Sequence, residues 1–355
     1  MSTVSLDGAP AADRGRSVDV QVLIVGAGLS GIAAAVKLRD AGITNLLVLE
    51  RSHRVGGTWR DNTYPGCAVD IPSAVYSFSF RPNPRWRSNF ARQGELLAYI
   101  EDTVEQFGLN EAISLGEEML DASWDDAARV WQVRSTRGIR RAQHLILACG
   151  ILSEPVAPQV RGLESFPGPV FHSARWDHDV DLAGRRVAVV GTGCSAVQLI
   201  PEIQPRVGHL TVFQRTPAWV VPRLDFPIPG SLRRMFERVP FTQRAFRGAS
   251  GSVLLALALL MRRPATARLL QPAGLLLLRR QVRDPRLRRD LTPRFTIGCK
   301  RLLLSNTYLP AMGRSNVTLV PQALSRVEGD RLVAADGTTT RADVLVLGSG
   351  FELRH

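Results

Sequence analysis

Cysteine is scarce in this chain: Cys67, Cys149, Cys194 and Cys299 are the only four among 355 residues, they stand far apart, and no pair has C-x-x-C spacing. That excludes the disulfide framework of a small secreted domain and a cysteine-based zinc site, so reduced thiols and no metal are expected. Lysine is almost missing, with Lys37 and Lys300 alone. The N-terminus lacks the apolar core of a signal peptide, and no uninterrupted apolar run reaches the roughly 18 residues of a membrane span. A cytoplasmic protein with a flexible leader over residues 1–17 is the expectation.

Net charge is +13, yet it is not spread along the chain. Between Ser231 and Arg301 there are 17 basic residues against Glu237, Asp284 and Asp290, which leaves the remainder with 28 basic and 29 acidic residues and close to neutral. Stretches such as "GSVLLALALLMRR" and "GLLLLRRQVRDPRLRRD" alternate apolar runs with arginine clusters. This predicts a helical, arginine-rich insertion over residues 226–295, with one face packed and the other in water. A basic amphipathic face also suits weak contact with an anionic membrane surface or a partner. No interleaved aromatics accompany the arginines, so nucleic acid is not expected as a partner.

The first strong element is "VQVLIVGAGLSGIAAAVKLRDAG". An apolar, β-rich run ends in Gly26, Gly28 and Gly31 and leads straight into an alanine-rich helix. In this G-x-G-x-x-G arrangement the glycines close the turn, admit a pyrophosphate to the backbone amides and let helix pack on strand. The helix N-terminus adds partial positive charge. A second strand, "NLLVLE", ends in Glu50, placed to accept hydrogen bonds from an adenosine ribose. Then "RVGGTWRDNTYPGCAVDIPSAVYSFSF" brings Gly56, Gly57, Trp59, Tyr64 and Tyr76 around a Pro65-Gly66 turn that delivers Asp70. Flanked by apolar residues, Asp70 is a partly buried carboxylate in need of a cationic or hydrogen-bonding partner from elsewhere.

From Asp125 to Cys149 the pattern reads as a β-hairpin or meander returning to a buried strand that ends at Gly150. A proline-rich segment follows and reads as a linker, closing with "FPGPVFHSARW", whose proline-glycine content and short alternation fit neither helix nor strand. Next comes "GRRVAVVGTGCSAVQLIPEI", which repeats the nucleotide-binding pattern with Gly191, Gly193 and Ala196. Its second strand ends in Gln214-Arg215-Thr216 rather than in an acid. Arginine in place of the ribose carboxylate favours a 2′-phosphate. One unit with an acid and one with an arginine imply FAD together with NADPH, and hence a flavoprotein that accepts hydride from NADPH.

The fold class is therefore α/β, with two Rossmann-like dinucleotide-binding domains for FAD and NADP and the helical arginine-rich insertion. The expected boundaries are an FAD domain over 18–152, a linker over 153–178, an NADP domain over 179–225 and 296–343, and a return toward the FAD domain from 344. Two such folds, "GGTW", and F-x-G-x-x-x-H-x-x-x-W from Phe166 to Trp176 followed by Asp177 resemble the type I Baeyer-Villiger monooxygenases, relatives of the flavin-containing and N-hydroxylating monooxygenases. The resemblance runs from about Asp19 to Phe351.

It implies that His172 couples motion of the two domains, that Asp70 lies near the flavin with Arg301, and that Lys300 meets the NADP phosphate beside Arg215 and Thr216. It also assigns Glu50, Arg51, Gly57, Thr58, Trp59 and Tyr76 to the flavin side. Implied further are catalytic roles for Asp70, Arg301 and His172, dioxygen and a small ketone as substrates, and insertion of one oxygen atom through a flavin peroxide. Departures from the family pattern are Ala74 where histidine is usual, Cys149 where threonine is usual, and Gly348-Ser349-Gly350 in place of a late A-T-G. Family chains continue past that motif, so a truncated chain is the expectation here. Two alternatives stay open: an N- or S-oxygenating relative, and a flavin-binding remnant that acts only as an uncoupled NADPH oxidase.

Overall fold

In the computed structural model residues 19–352 are described; the leader expected over residues 1–17 lies outside them. The described chain divides into two units, one running up to Val55 and resuming over Val104–Cys149, the other comprising Gly56–Thr103 and the chain from Gly150 onward. Elements are numbered in chain order.

In the first unit the apolar run Val20–Val25 forms strand β1, buried from Val22 onward, and helix α1 (Leu29–Asp40) follows the glycine turn. β2 (Leu46–Glu50) and β3 (Ile113–Leu115) extend a parallel ladder on one side of β1. On the other side β6 (Gly138–Leu147) pairs parallel to β1, with Val22 opposite His144, and leads into the antiparallel partners β5 (Val130–Ser135) and β4 (Met119–Asp125). The sheet order is β3-β2-β1-β6-β5-β4. The meander read from Asp125 to Cys149 is thus present, but its last strand is not the buried one expected: Ala142 alone in β6 is fully buried and Leu147 is 64% exposed. α1 packs over β1 and β2, leaving β6 without a covering helix among the described residues of this unit.

The second unit holds a fully parallel five-stranded sheet in the order β12-β9-β8-β16-β7. Its strands are β7 (Val170–His172), β8 (Arg186–Val190), β9 (His209–Phe213), β12 (Val317–Val320) and β16 (Val344–Leu347). α4 (Cys194–Ile203) follows β8, as α1 follows β1. A short parallel pair joins β10 (Val220–Val221) to β11 (Leu303–Leu304), and β13 (Leu324–Glu328), β14 (Arg331–Ala334) and β15 (Thr339–Arg341) form an antiparallel flap. Phe166, Phe213, Val320, Leu332 and Leu345 share the core beneath it. The remaining helices here are α2 (Thr58–Asp61), the larger part of α3 (Gln93–Gln106) and α10 (Tyr308–Met312).

Three segments fold differently from, or beyond, what their local sequence suggests. Gly56–Thr103 groups with the second unit. Its own side chains tie it there: Gln198 of α4 accepts from the Tyr64 hydroxyl at 3.0 Å and donates to the Ala68 carbonyl at 3.0 Å, and Asn89 donates to the Leu224 carbonyl at 2.9 Å. The proline-rich linker ends in a strand, since Val170–His172 pairs with β16 in the register Leu345 to Val170 and Leu347 to His172. Its partner lies about 175 residues later, so local periodicity carries no trace of it.

The third concerns the basic segment, which is helical as read: α5 (Gly230–Arg238), α6 (Pro240–Met261), α7 (Pro264–Arg268), α8 (Gln271–Gln281) and α9 (Pro285–Asp290). Although its apolar run is short, α6 as a whole is long and apolar enough to cross a membrane by length and composition, and only Gln243 in it is buried.

Candidate functional site

In the first unit the β1–α1 turn is shaped by backbone contact. Gly26 has φ +104°, its N–H donates to the Leu49 carbonyl at 2.7 Å, and a Cβ there would stand 2.6 Å from the Ala148 oxygen. Gly28 is the N-cap of α1, and no side chain occupies the free N–H groups of the first turn. Those amides and the helix dipole form an anion site open to a pyrophosphate. Glu50 is buried at the end of β2, where its carboxylate accepts the Ala27 N–H at 2.9 Å and the Ser52 N–H at 3.0 Å. These bonds fix its orientation at the edge of the turn. Arg51 beside it is exposed.

The second unit repeats the turn. Gly191 has φ +105°, donates to the Phe213 carbonyl at 3.0 Å, and has no room for a Cβ against the Gly348 oxygen; Gly193 caps α4 with no competing side chain. At the carboxyl ends of β8, β9 and β16 this turn opens into a cavity of about 640 Å³. Such crevices are where open parallel sheets bind ligands. Gly191, Gly193, Arg215, Thr216, Lys300 and Arg301, read from distant parts of the sequence, all line it. Arg215 is exposed, and Lys300 extends over the Phe295 ring with its Nζ 5.0 Å from the ring centre. Both cations face the cavity without an acidic partner among the described ion pairs. Gln214, between strand and cations, is buried and donates to the Asp290 carbonyl at 2.9 Å, which anchors the end of β9.

Arg301 reaches out of the same wall to form an ion pair with Asp70, its side chain 64% exposed and that of Asp70 27%. Burial works against the guanidinium charge, but Asp70, Cys194 and Tyr76 outweigh it and push the Arg301 pKa up. Tyr76 accepts from the Trp59 indole N–H at 3.1 Å, their rings edge to face at 5.5 Å, and burial pushes its phenol pKa up, so it stays neutral. Trp59 sits in α2, directly after Gly57 and Thr58; its carbonyl accepts from Gln93, and Thr58 accepts from Asn62 at 3.0 Å. The residues assigned to the flavin side thus fall in both units: Glu50 and Arg51 in the first, Gly57, Thr58, Trp59, Asp70 and Tyr76 in the second.

His172 stands at the end of β7, not in the cavity wall. Its Nδ1 accepts from the Ala174 N–H at 3.0 Å, its ring meets Phe351 edge to face at 5.7 Å, and Nε2 is buried with no hydrogen-bond partner among the described residues. Burial pushes its pKa down, opposed only in part by the Gly350 backbone, so the ring is neutral with its proton on Nε2. Its ring is thus enclosed against the loop that follows β16.

Sequence reasoning missed Gln198, Arg223, Phe295 and the wall residues Pro158 and Gln159. Gln198 follows the second glycine turn without being one of its pattern positions, and the others sit in no motif. The one available signal was chain order, because in parallel sheets the loops after successive strands meet at the same edge.

Comparison with known proteins gives a consistent picture. A family model described as pyridine nucleotide-disulphide oxidoreductase matches residues 23–228. A Baeyer-Villiger monooxygenase of Streptomyces coelicolor is 47% identical over 335 residues, which is 94% of this chain and 64% of that protein. One of Pseudomonas aeruginosa is 42% identical, over 93% of this chain and 63% of its own length. Among solved structures, an oxidized steroid monooxygenase bound to NADP superposes with a TM-score of 0.82 at 28% identity, covering 94% of this chain and 72% of that one. Open cyclohexanone monooxygenase superposes with a TM-score of 0.80 at 27% identity, covering 95% and 74%. The chain therefore spans a little under two thirds of the length of these curated relatives.

Proposed function

We propose, because the chain belongs to the pyridine nucleotide-disulphide oxidoreductase family, that it binds FAD and NADPH and oxygenates a small ketone to an ester or lactone. The balanced reaction takes ketone, O2, NADPH and H+ to ester, NADP+ and water. The observation that carries the reading is the cavity at the carboxyl ends of β8, β9 and β16, where a glycine turn, two unpaired cations and Arg301 converge. The likeness to enzymes named Baeyer-Villiger monooxygenase favours a ketone over a nitrogen or sulfur substrate.

The residues present fit both cofactors. Each glycine turn is a cradle that a Cβ would fill, and each leads to an uncapped helix N-terminus suited to a pyrophosphate. In the first unit the turn and Glu50 would hold the adenosine diphosphate half of FAD. In the second, Gly191 and Gly193 would hold the NADPH pyrophosphate, and Arg215, Thr216 and Lys300 its 2′-phosphate. FAD, when bound, supplies hydride acceptance and activation of dioxygen. The chain's own contribution is electrostatic: Arg301 carries a permanent charge suited to stabilising a developing oxyanion, and Asp70 orients it. Tyr76, hydrogen-bonded to Trp59, lies within electrostatic reach of that pair as a neutral phenol.

The test is reconstitution with FAD followed by reduction under anaerobic conditions. NADPH at subsaturating concentration is expected to bleach the flavin about ten to one hundred times faster than NADH, the range that one charge-assisted phosphate contact of about 1.5 to 3 kcal/mol commands. Ester formed from a ketone panel under air then reports the oxygenation. Equal rates with the two nucleotides would overturn the NADPH assignment, and reduction without ester under any ketone would leave an oxidase.

A finer partner reading concerns the basic helices. Val253, Leu255, Leu257 and Leu259 of α6 are exposed, and Arg262 and Arg263 follow directly. Apolar side chains bordered by arginines suit the interface of an anionic bilayer better than a second, equally basic copy. Co-sedimentation with phosphatidylglycerol vesicles but not phosphatidylcholine vesicles, lost in Leu255→Ser/Leu259→Ser, is the expected result; recovery in the supernatant with both lipids would discard it.

A further inference from the structure

Arg223 is a largely enclosed charge, only partly exposed, that no recognised motif accounts for. Its side chain is 16% exposed and its guanidinium carbon lies 4.9 Å from the centre of the Phe90 ring. It donates to the carbonyls of Val69 at 3.4 Å and Phe90 at 3.3 Å and pairs with Asp225 at 3.6 Å, while its Nε is buried without a partner among the described residues. Burial pushes its pKa down, against the pull of Asp225 and of Asp70. An arginine held this way is a poor device for stability, because an apolar side chain of similar volume avoids the desolvation penalty. Its connections point to a different task.

Val69 immediately precedes Asp70. On its other side Arg223 belongs to the frame that carries Arg301: its N–H donates to Asn306 Oδ1 at 3.0 Å and its carbonyl accepts from Asn306 Nδ2 at 2.7 Å. Just upstream, β10 pairs with β11 in the register Val220 to Leu303, two residues beyond Arg301. Arg223 therefore joins the two, its side chain holding the Val69 carbonyl beside Asp70 and its backbone holding Asn306 on the segment that follows Arg301. The direct Asp70–Arg301 contact is largely exposed on the Arg301 side, whereas the link through Arg223 is enclosed.

We propose that Arg223 is a positioning residue for the Asp70–Arg301 pair, holding the Val69–Asp70 backbone on the β10–β11 frame so that Asp70 keeps its place when Arg301 leaves it for a bound ligand. This rests on the reading of the pair given under Proposed function. Arg223 touches neither cofactor nor substrate in this account. It acts through Asp70.

Two measurements on the FAD-reconstituted protein test it. The first is kinetic. In Arg223→Met the rate of flavin reduction at saturating NADPH is expected to fall at least tenfold while the apparent Kd for NADPH changes less than twofold. Arg223→Lys, which keeps the charge and a donor, is expected to recover more than half of the loss on a logarithmic scale. In an Asp70→Asn background Arg223→Met should cost little more, since the two act in series. Equal losses in both backgrounds, or a loss confined to NADPH affinity, would show a general structural role and overturn the proposal. The second is amide hydrogen exchange. The segment from Ala68 to Ile71 is expected to exchange at least fivefold faster in Arg223→Met, with β8 and α4 unchanged, and to be restored by Arg223→Lys. Unchanged exchange would refute the proposal whatever the activity. If the wild-type flavin is not reduced by NADPH, the functional reading alone fails, and the exchange result still decides the role of Arg223.

Discussion

Gly31→Ala is expected to abolish folding of the first unit. A Cβ at that position would lie well inside van der Waals contact with the Gly26 carbonyl oxygen and 3.5 Å from the Ala148 Cβ. Neither residue can retreat, because Gly26 donates to the Leu49 carbonyl and Ala148 donates to the Val25 carbonyl at 2.8 Å. The clash opens the strand-to-helix turn itself, so the destabilisation is expected to exceed about 4 kcal/mol, the range reserved for broken backbone geometry. Gly248→Ala is the matched control: it lies inside α6 with nothing within 4 Å of the added methyl, and alanine there should stabilise by roughly 0.5 to 1 kcal/mol. Thermal unfolding followed by circular dichroism, with FAD titration of the soluble fraction, separates the two. A Gly31→Ala protein that melts like the parent and binds FAD would show that the turn is not built as described.

The second large effect is expected from Arg215→Ala combined with Lys300→Ala. Both cations line the one cavity, and removing both should cost NADP+ about two to four powers of ten in affinity, from two charge-assisted contacts of roughly 1.5 to 3 kcal/mol each. NAD+ affinity should barely move, so the preference disappears rather than binding as a whole. The single variants need not sum to the double, because two cations on one phosphate share its charge. Calorimetric titration of both nucleotides with the parent, the singles and the double gives the comparison. A double variant that still prefers NADP+ by tenfold or more would place the 2′-phosphate elsewhere. The NAD+ arm guards against misreading a collapsed cavity as lost recognition.

Local signals settled much of this protein. The run Val20–Val25, its glycines, α1 and the acid at Glu50 follow one another within a few tens of residues, and so do β8, α4, β9 and Arg215. Strand, turn and helix are short-range events whose residue types and spacing suffice to identify them. The arginine-rich helices were legible for the same reason. Long-range pairing decided the rest. Val170–His172 becomes a strand only because β16 offers it an edge, and β6 stays largely exposed because α1 lies over β1 and β2 instead. Gly56–Thr103 reads as a continuation of the first unit, yet Gln198 and Leu224 claim it for the second. The meeting of Asp70 with Arg301 across 231 residues was inferred from family resemblance; from composition or period it is invisible. A partly buried charge such as Arg223 looks like any other arginine until its surroundings are known. Hydrogen-bonding groups and charges find partners by proximity in space, and proximity in space is fixed by the packing of whole elements, which no local pattern encodes.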